Sequence, residues 1–337
     1  MARVLILNSA RPAPFDPLEH GAALLLKHGA ELDQYRVHEL TDRPEEANII
    51  LFAETGRCGR FAERVRAHPI YRKFRERCFL FDQGDGHFPT LPGLYTGLTQ
   101  KLYQADHTRT GFYLLLAEEN PFVAYRPPTG SERYLASFIG SSRSAAIRSR
   151  IFALQQPDIL LDDTSAHANR IRYQGEPKER EEFWTGYADA MADSKFVLCP
   201  RGVSPNTIRL FEAMKMGRAC VIISDIWHKI DGVDWDSFSL TVPERDIAKL
   251  PAILAREAHR SRAMGECARR EWERCFSEQS RFHWVVEQCR DIQARRRVPR
   301  PLVRWHNLRH MVTPRNWRAC LNSKAVLYRS QGKIYCL

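Results

Sequence analysis

Residues 194–243 read SKFVLCPRGVSPNTIRLFEAMKMGRACVIISDIWHKIDGVDWDSFSLTVP. The apolar run 196–199 is short and continuous, as a strand buried on both faces is, and it stops at Pro200-Arg201-Gly202. A helix is expected to start near Ser204 or Pro205 and to end at Gly217, with proline in its first turn, glycine just past its last, and Ser204 as its N-cap. A second apolar run follows at 220–223. A strand, a glycine turn and a helix N-terminus together form an anion site, because free backbone N–H groups and the positive end of the helix dipole point beyond the strand. Arg201 adds a cation there, and Gly202, Ser204, Asn206 and Thr207 belong to the same turn, so a diphosphate is the expected occupant. Leu210, Ala213 and Met214 share the face that should meet the sheet. Arg209 and Glu212, three residues apart, are neighbours on another side. A carboxylate one to two turns below a phosphate suits the two hydroxyls of a ribose; the alternative is a surface ion pair contributing less than about 1 kcal/mol.

Working outward, strands are expected at 3–7, 49–52, 78–81, 134–140, 159–161 and 239–242, and helices at 18–28, 60–76, 144–154, 179–193, 244–256 and 258–290. Residues 112–116 are apolar with no clear period. Strands that alternate with helices and read as continuous apolar runs argue for parallel sheets covered on both faces. The pattern occurs twice, with Pro127-Pro128-Thr129-Gly130 between the copies. The expected architecture is α/β: two Rossmann-like, doubly wound domains facing a cleft, spanning 1–130 and 131–292, followed by a basic extension, 293–337. Ligands should sit outside the carboxyl ends of the strands.

The length, 337 residues, exceeds one ordinary core, and 44% hydrophobic against 27% charged residues excludes wholesale disorder. No stretch approaches the roughly 18 apolar residues of a membrane-spanning helix, and the apolar run 4–7 is too short for a secretory signal. The nine cysteines form no C-x-x-C pair. A cytoplasmic protein with reduced thiols is expected. From residue 290 onward twelve Lys or Arg face one acid, Asp291, which accounts for the whole net charge of +11. Trp305 and Trp317 lie among those arginines, a composition suited to an anionic membrane surface; the alternatives are a solvated or packed extension and, less fitting, a nucleic-acid patch.

The quoted segment resembles the exostosin family, glycosyltransferase family 47, whose members carry S-K-F-x-L-C-P-R-G, a loop, R-L-F-E-A, a glycine, V-I-I-S-D and D-W-x-x-F-S. Here these are 194–202, 209–213, Gly217, 221–225 and 234–239. The likeness extends more weakly through Phe138-Ile139-Gly140 and Arg148 upstream and Val242-Pro243-Glu244 downstream. The resemblance implies a GT-B fold and an inverting transferase that takes a sugar from a nucleotide-sugar, usually UDP-linked, to a glycan or lipid-linked glycan acceptor in cell-surface polysaccharide synthesis, with no resident cofactor. Carried over by position, Arg201, Ser204, Asn206 and Thr207 match the phosphate loop, Arg209 and Glu212 the ribose-reading helix, and Arg148, with Arg143 beside it, an arginine directed at the diphosphate. The loop 203–206 departs from the commoner family pattern.

Inversion also needs a base for the acceptor hydroxyl. Asp82, Asp85 and His87 follow a strand in the first domain and are the candidates, against a turn whose aspartates cap local backbone. Asp225 and Trp227 are placed to touch the donor sugar or, equally, to serve as cap and core. Asp234-Trp235-Asp236 spells a D-x-D but lies in the family's own structural element, and no His or Cys cluster has ligand spacing, so no metal ligands are expected. Two alternatives remain: an epimerase or hydrolase on the same scaffold, and a non-catalytic module binding nucleotide-sugar or nucleic acid.

Overall fold

The computed structural model describes residues 1–10, 14–59, 61–85, 88–114, 119–154 and 156–296. Two all-parallel sheets organise them. The first has six strands in the order β2-β1-β3-β4-β5-β6: β1 (Arg3–Leu7), β2 (Glu39–Leu40), β3 (Ile49–Glu54), β4 (Cys78–Asp82), β5 (Gly93–Tyr95) and β6 (Thr108–Thr110). The second has five, in the order β11-β10-β9-β7-β8: β7 (Tyr134–Gly140), β8 (Ile159–Asp163), β9 (Ser194–Pro200), β10 (Ala219–Ile223) and β11 (Ser239–Thr241). Every residue of β3, β4 and β10 is buried, as continuous apolar runs require when helices cover both faces. The order reverses between β1 and β3 and again between β7 and β9, so each sheet opens a crevice at those two carboxyl ends. This is the expected pair of doubly wound domains.

In the first domain α1 (Pro17–Glu31) is capped by Asp16, whose carboxylate accepts from the Leu18 N–H at 2.8 Å, with Pro17 at its start. The helix expected over 60–76 is divided into α2 (Glu63–Ala67) and α3 (Pro69–Phe74), because the residue before Pro69, His68, is held extended. Strands β2, β5 and β6 were not expected; two or three residues each, and partly polar, they carry too little periodicity to read.

The second domain adds α4 (Ala146–Phe152), α5 (Ala168–Gln174), α6 (Pro177–Ala192), α7 (Ile208–Met216), α8 (Trp235–Phe238), α9 (Leu250–Glu257), α10 (Ser261–Cys275) and α11 (Arg281–Arg295). The continuous helix expected over 258–290 breaks between α10 and α11, where the Phe276 and Ser277 N–H groups fold back onto the Trp272 carbonyl at 2.8 and 2.9 Å. After the break α11 does not stay with the second domain. It packs on α1 and β5 of the first, and Arg109 of β6, 2% exposed, donates to the carboxylate of Asp291 on it. The segment assigned to the end of the second domain therefore covers the first.

Helix α7 also begins later than expected. Thr207 occupies the cap position without a side-chain cap bond, and Pro205 lies in the loop. Tertiary bonds hold that loop out of the helix: the Ser224 hydroxyl donates to the Pro205 carbonyl at 2.6 Å, and the Ser204 hydroxyl donates to Asn206 Oδ1 at 3.2 Å rather than capping. The far end of α7 is as expected. Gly217 takes a left-handed φ of 80°, and the Gly217 and Arg218 N–H groups close the last turn at 3.1 and 2.9 Å. A Cβ there would lie 2.8 Å from the Tyr125 ring. Gly217→Ala should therefore lower stability by about 1–2 kcal/mol, read as a shifted urea midpoint at constant slope.

No helix among the described residues is long and apolar enough to cross a membrane. Seven described cysteines are free thiols. The basic, tryptophan-containing stretch from 297 onward, and with it the membrane expectation, lies outside the described residues.

Candidate functional site

The crevice between β7 and β9 is built around two guanidinium groups. Arg148 comes from α4 and Arg209 from the first turn of α7, and they flank the ring of Phe138 with centroid distances of 5.5 and 4.6 Å. Glycine ends both loops for a steric reason. A Cβ on Gly140 would lie 2.8 Å from a terminal nitrogen of Arg209, and one on Gly202 would lie 3.1 Å from a terminal nitrogen of Arg148. The strand ends are thus cut back to admit two cations.

Both arginines are buried, at 8% and 7% exposure, and neither has an acidic partner within salt-bridge distance among the described residues. Arg148 donates only to backbone: Nε to the Arg201 carbonyl at 3.0 Å, and Nη2 and Nη1 to those of Pro200 and Ser141 at 3.2 and 3.4 Å. Arg209 donates to the Ile139 carbonyl, while its Nε and its other terminal nitrogen are buried without a partner. Burial, with the positive charge of Arg209 alongside, pushes the Arg148 guanidinium down to about 10. Asn206 adds a third idle donor: its Oδ1 accepts from Ser204 and, at 2.9 Å, from Tyr113 Oη, but its Nδ2 is buried and unpartnered. Stranded donors at the mouth of a parallel sheet are groups that an anion could satisfy.

Glu212 lies one turn further along α7. Its Oε2 accepts from Tyr187 Oη of α6 at 2.5 Å, and burial raises its carboxyl above the ordinary range while Tyr187 and Arg209 oppose that rise. The surface ion pair with Arg209 is not formed. Glu212 instead lines a cleft of about 460 Å³ with Ile208, Tyr113, Asn120 and Lys215.

Other expected residues are placed differently. Arg201 is spent on Glu244, with Nε 2.6 Å from its carboxylate, so its side chain is not an idle cation. Asp225 is exposed, and its Oδ1 accepts from the Glu244 N–H at 3.0 Å, a backbone-capping bond. Arg143 is exposed on the turn after β7. Thr207 is buried at the start of α7. Trp227 is buried edge-on against Trp235, and Asp234 precedes the short helix Trp235–Phe238 without a side-chain cap bond.

Loops of the first domain close over this site. The position of a Cβ on Gly97 lies 3.2 Å from Ser204 Oγ, 3.1 Å from the Gly84 carbonyl and 3.5 Å from that of Asp85. Asp85, exposed, therefore stands on a loop that meets the β9–α7 loop across the cleft. Asp82 is 1% exposed, and its carboxylate accepts from the Gly84 N–H at 3.1 Å, a local capping bond. His87 lies outside the described residues. Sequence reasoning missed Glu54, which ends β3 beside Asp82 at the first sheet's own crevice. Its Oε1 accepts from the Ser9 N–H at 2.6 Å, and burial raises its carboxyl to about 7. A lone acid ending an apolar strand was its only signal.

Two facing Rossmann-like domains, with buried arginines and idle donors at the switch point of the second, define a GT-B scaffold. Residues 80–256 match the Exostosin GT47 domain, more than half of the 337 residues, and the chain belongs to the exostosin GT47 family. It is 31% identical over 140 residues to the Exostosin-1 homolog of Caenorhabditis elegans, which covers 38% of this chain and 36% of that protein. It is 42% identical over 78 residues to a probable glucuronoxylan glucuronosyltransferase of Arabidopsis thaliana, covering 23% of this chain and 17% of that protein. A probable glucuronosyltransferase of Oryza sativa subsp. japonica is 39% identical over 70 residues, covering 20% and 16%. The chain thus spans about a third or less of these relatives.

Proposed function

We propose that this protein is an inverting glycosyltransferase that moves a sugar from a UDP-sugar to a glycan acceptor, in the synthesis of a surface polysaccharide. The observation that carries the reading is the pair of buried arginines, Arg148 and Arg209, neither with an acid at salt-bridge distance among the described residues, together with the idle donors of Arg209 and Asn206. A diphosphate supplies the missing negative charge, and its departure from the anomeric carbon is eased by the same two cations. Glu212 takes the ribose hydroxyls, and the 460 Å³ cleft beside it gives room for the nucleoside. The family match and the glucuronosyltransferase and exostosin names of its relatives favour the same chemistry.

In the reaction the acceptor hydroxyl attacks the anomeric carbon opposite the diphosphate. The new glycosidic C–O bond forms as the C–O bond to phosphate breaks, and the hydroxyl proton passes to a base on the first domain. Asp85 is the described candidate for that base, since its loop meets the phosphate loop. The cations this chain brings to the leaving group are guanidinium groups, and no resident cofactor is invoked. The acceptor is a glycan, free or lipid-linked, met on the cytoplasmic face of a membrane that the basic stretch after 293 helps to engage; nucleic acid is not invoked.

Calorimetry with UDP and a panel of nucleotide-sugars, followed by detection of UDP release on adding glycan acceptors, tests the reading. A folded protein that binds none of them sinks it. Glu212→Ala should weaken UDP at least about tenfold, the effect of removing a charged partner from two hydroxyls. An unchanged dissociation constant in the folded variant would reject the ribose role.

A further inference from the structure

Away from the cleft, the segment leading into β2 meets α11. The side chain of His38 is wholly enclosed there, with its ring 5.1 Å from that of His283 in a stacked arrangement and 6.3 Å edge-on from Phe282. His283 and Glu287 are four residues apart on α11 and share one face. His38 Nε2 lies 2.9 Å from Glu287 Oε1, and one ligand-capable atom from each of the three residues lies within 4.8 Å of the others. Beyond that contact of Nε2 with Glu287, Nδ1 of His38 and Nδ1 of His283 are both buried without a hydrogen-bond partner among the described residues. Enclosed imidazole nitrogens that satisfy nothing are costly to keep.

Two imidazoles and one carboxylate are the donor set of a borderline divalent ion, with water in the fourth position. We propose that His38, His283 and Glu287 bind a zinc-type cation that fastens the edge of the first sheet to α11. Bonds of roughly 2.0–2.1 Å place tetrahedral ligand atoms about 3.3 Å apart, a separation that side-chain rotation reaches from the spacing here. Arg290 donates to the same Glu287 oxygen at 2.6 Å, so metal entry exchanges that ion pair for a metal–carboxylate bond. The ion occupies the junction between the β2 edge of the first sheet and α11, apart from the arginine pocket.

The test uses the full, tag-free, reduced protein, stripped with chelator and titrated calorimetrically with Zn²⁺. One ion per chain should bind and raise the melting temperature. His283→Asn and Glu287→Gln should each lower Zn²⁺ affinity at least tenfold, with melting temperatures in chelator unchanged from the parent. A cation held equally by the parent and both variants, or by none of them, overturns the proposal. The parent alone gives a second reading: its Co²⁺ form should lack a thiolate charge-transfer band, and such a band would place the ion on cysteines instead.

Discussion

Arg209→Met should weaken UDP binding by at least about a hundredfold and leave the ligand-free protein as stable as the parent, or more so. Hydrogen bonds to charged groups contribute roughly 1.5–3 kcal/mol each, and two nitrogens of Arg209 are buried without a partner. An anion that engages both loses about 3–6 kcal/mol when they go. Without the anion, the same guanidinium is a buried charge 7% exposed, close enough to Arg148 for mutual repulsion, and an apolar chain of similar length relieves both costs. The two measurements must therefore move apart: the melting temperature in plain buffer holds or rises, while the increment produced by UDP disappears. A variant that loses both together would make Arg209 a framework residue.

Glu54→Gln should stabilise the protein above pH 7 and do little at pH 4. Burial is the main cause that raises this carboxyl from 4.5 to about 7; Asp82's charge adds to it, and the Ser9 N–H and Arg64 oppose it. A carboxyl whose folded value is raised binds more protons in the folded state between those two pH values. Stability accordingly falls as pH rises from about 4.5 to 7, and the penalty is complete above that window. At about 1.4 kcal/mol per unit, the full penalty is about 3 kcal/mol. Glutamine keeps an oxygen for the Ser9 N–H and removes the charge. Urea unfolding at pH 4, 6 and 8 should show the parent losing stability relative to the variant across the series; parallel curves would show that Glu54 does not titrate there.

The long apolar strands and the glycine that ends α7 were legible because each is decided by a few adjacent residues. The same segment gave the turn that ends β9 at Gly202, a local feature, but not the helix start, which falls at Ile208. Nor could it give the state of each side chain. Arg201, the obvious cation, is taken by Glu244, 43 positions away, while Arg209, which reads as a surface partner of Glu212, turns inward under Phe138. Ser204 fails as a cap because Asn206 and Tyr113 claim the loop, and Tyr113 belongs to the other domain. Periodicity is likewise silent on two-residue strands such as β2 and on which sheet α11 covers. Such choices are made by tertiary contacts that no window of sequence contains.

That crossing helix has a consequence for how the protein is made. Phe282, Val285, Val286, Cys289 and Ile292 are each no more than 1% exposed. They reach their places only after the strands of both sheets have left the ribosome, so the first domain, made earlier, waits with an apolar face uncovered for a helix made later. Nascent chains stopped before residue 281 should present that face to chaperones, and the first domain should complete its core only once α11 has been made.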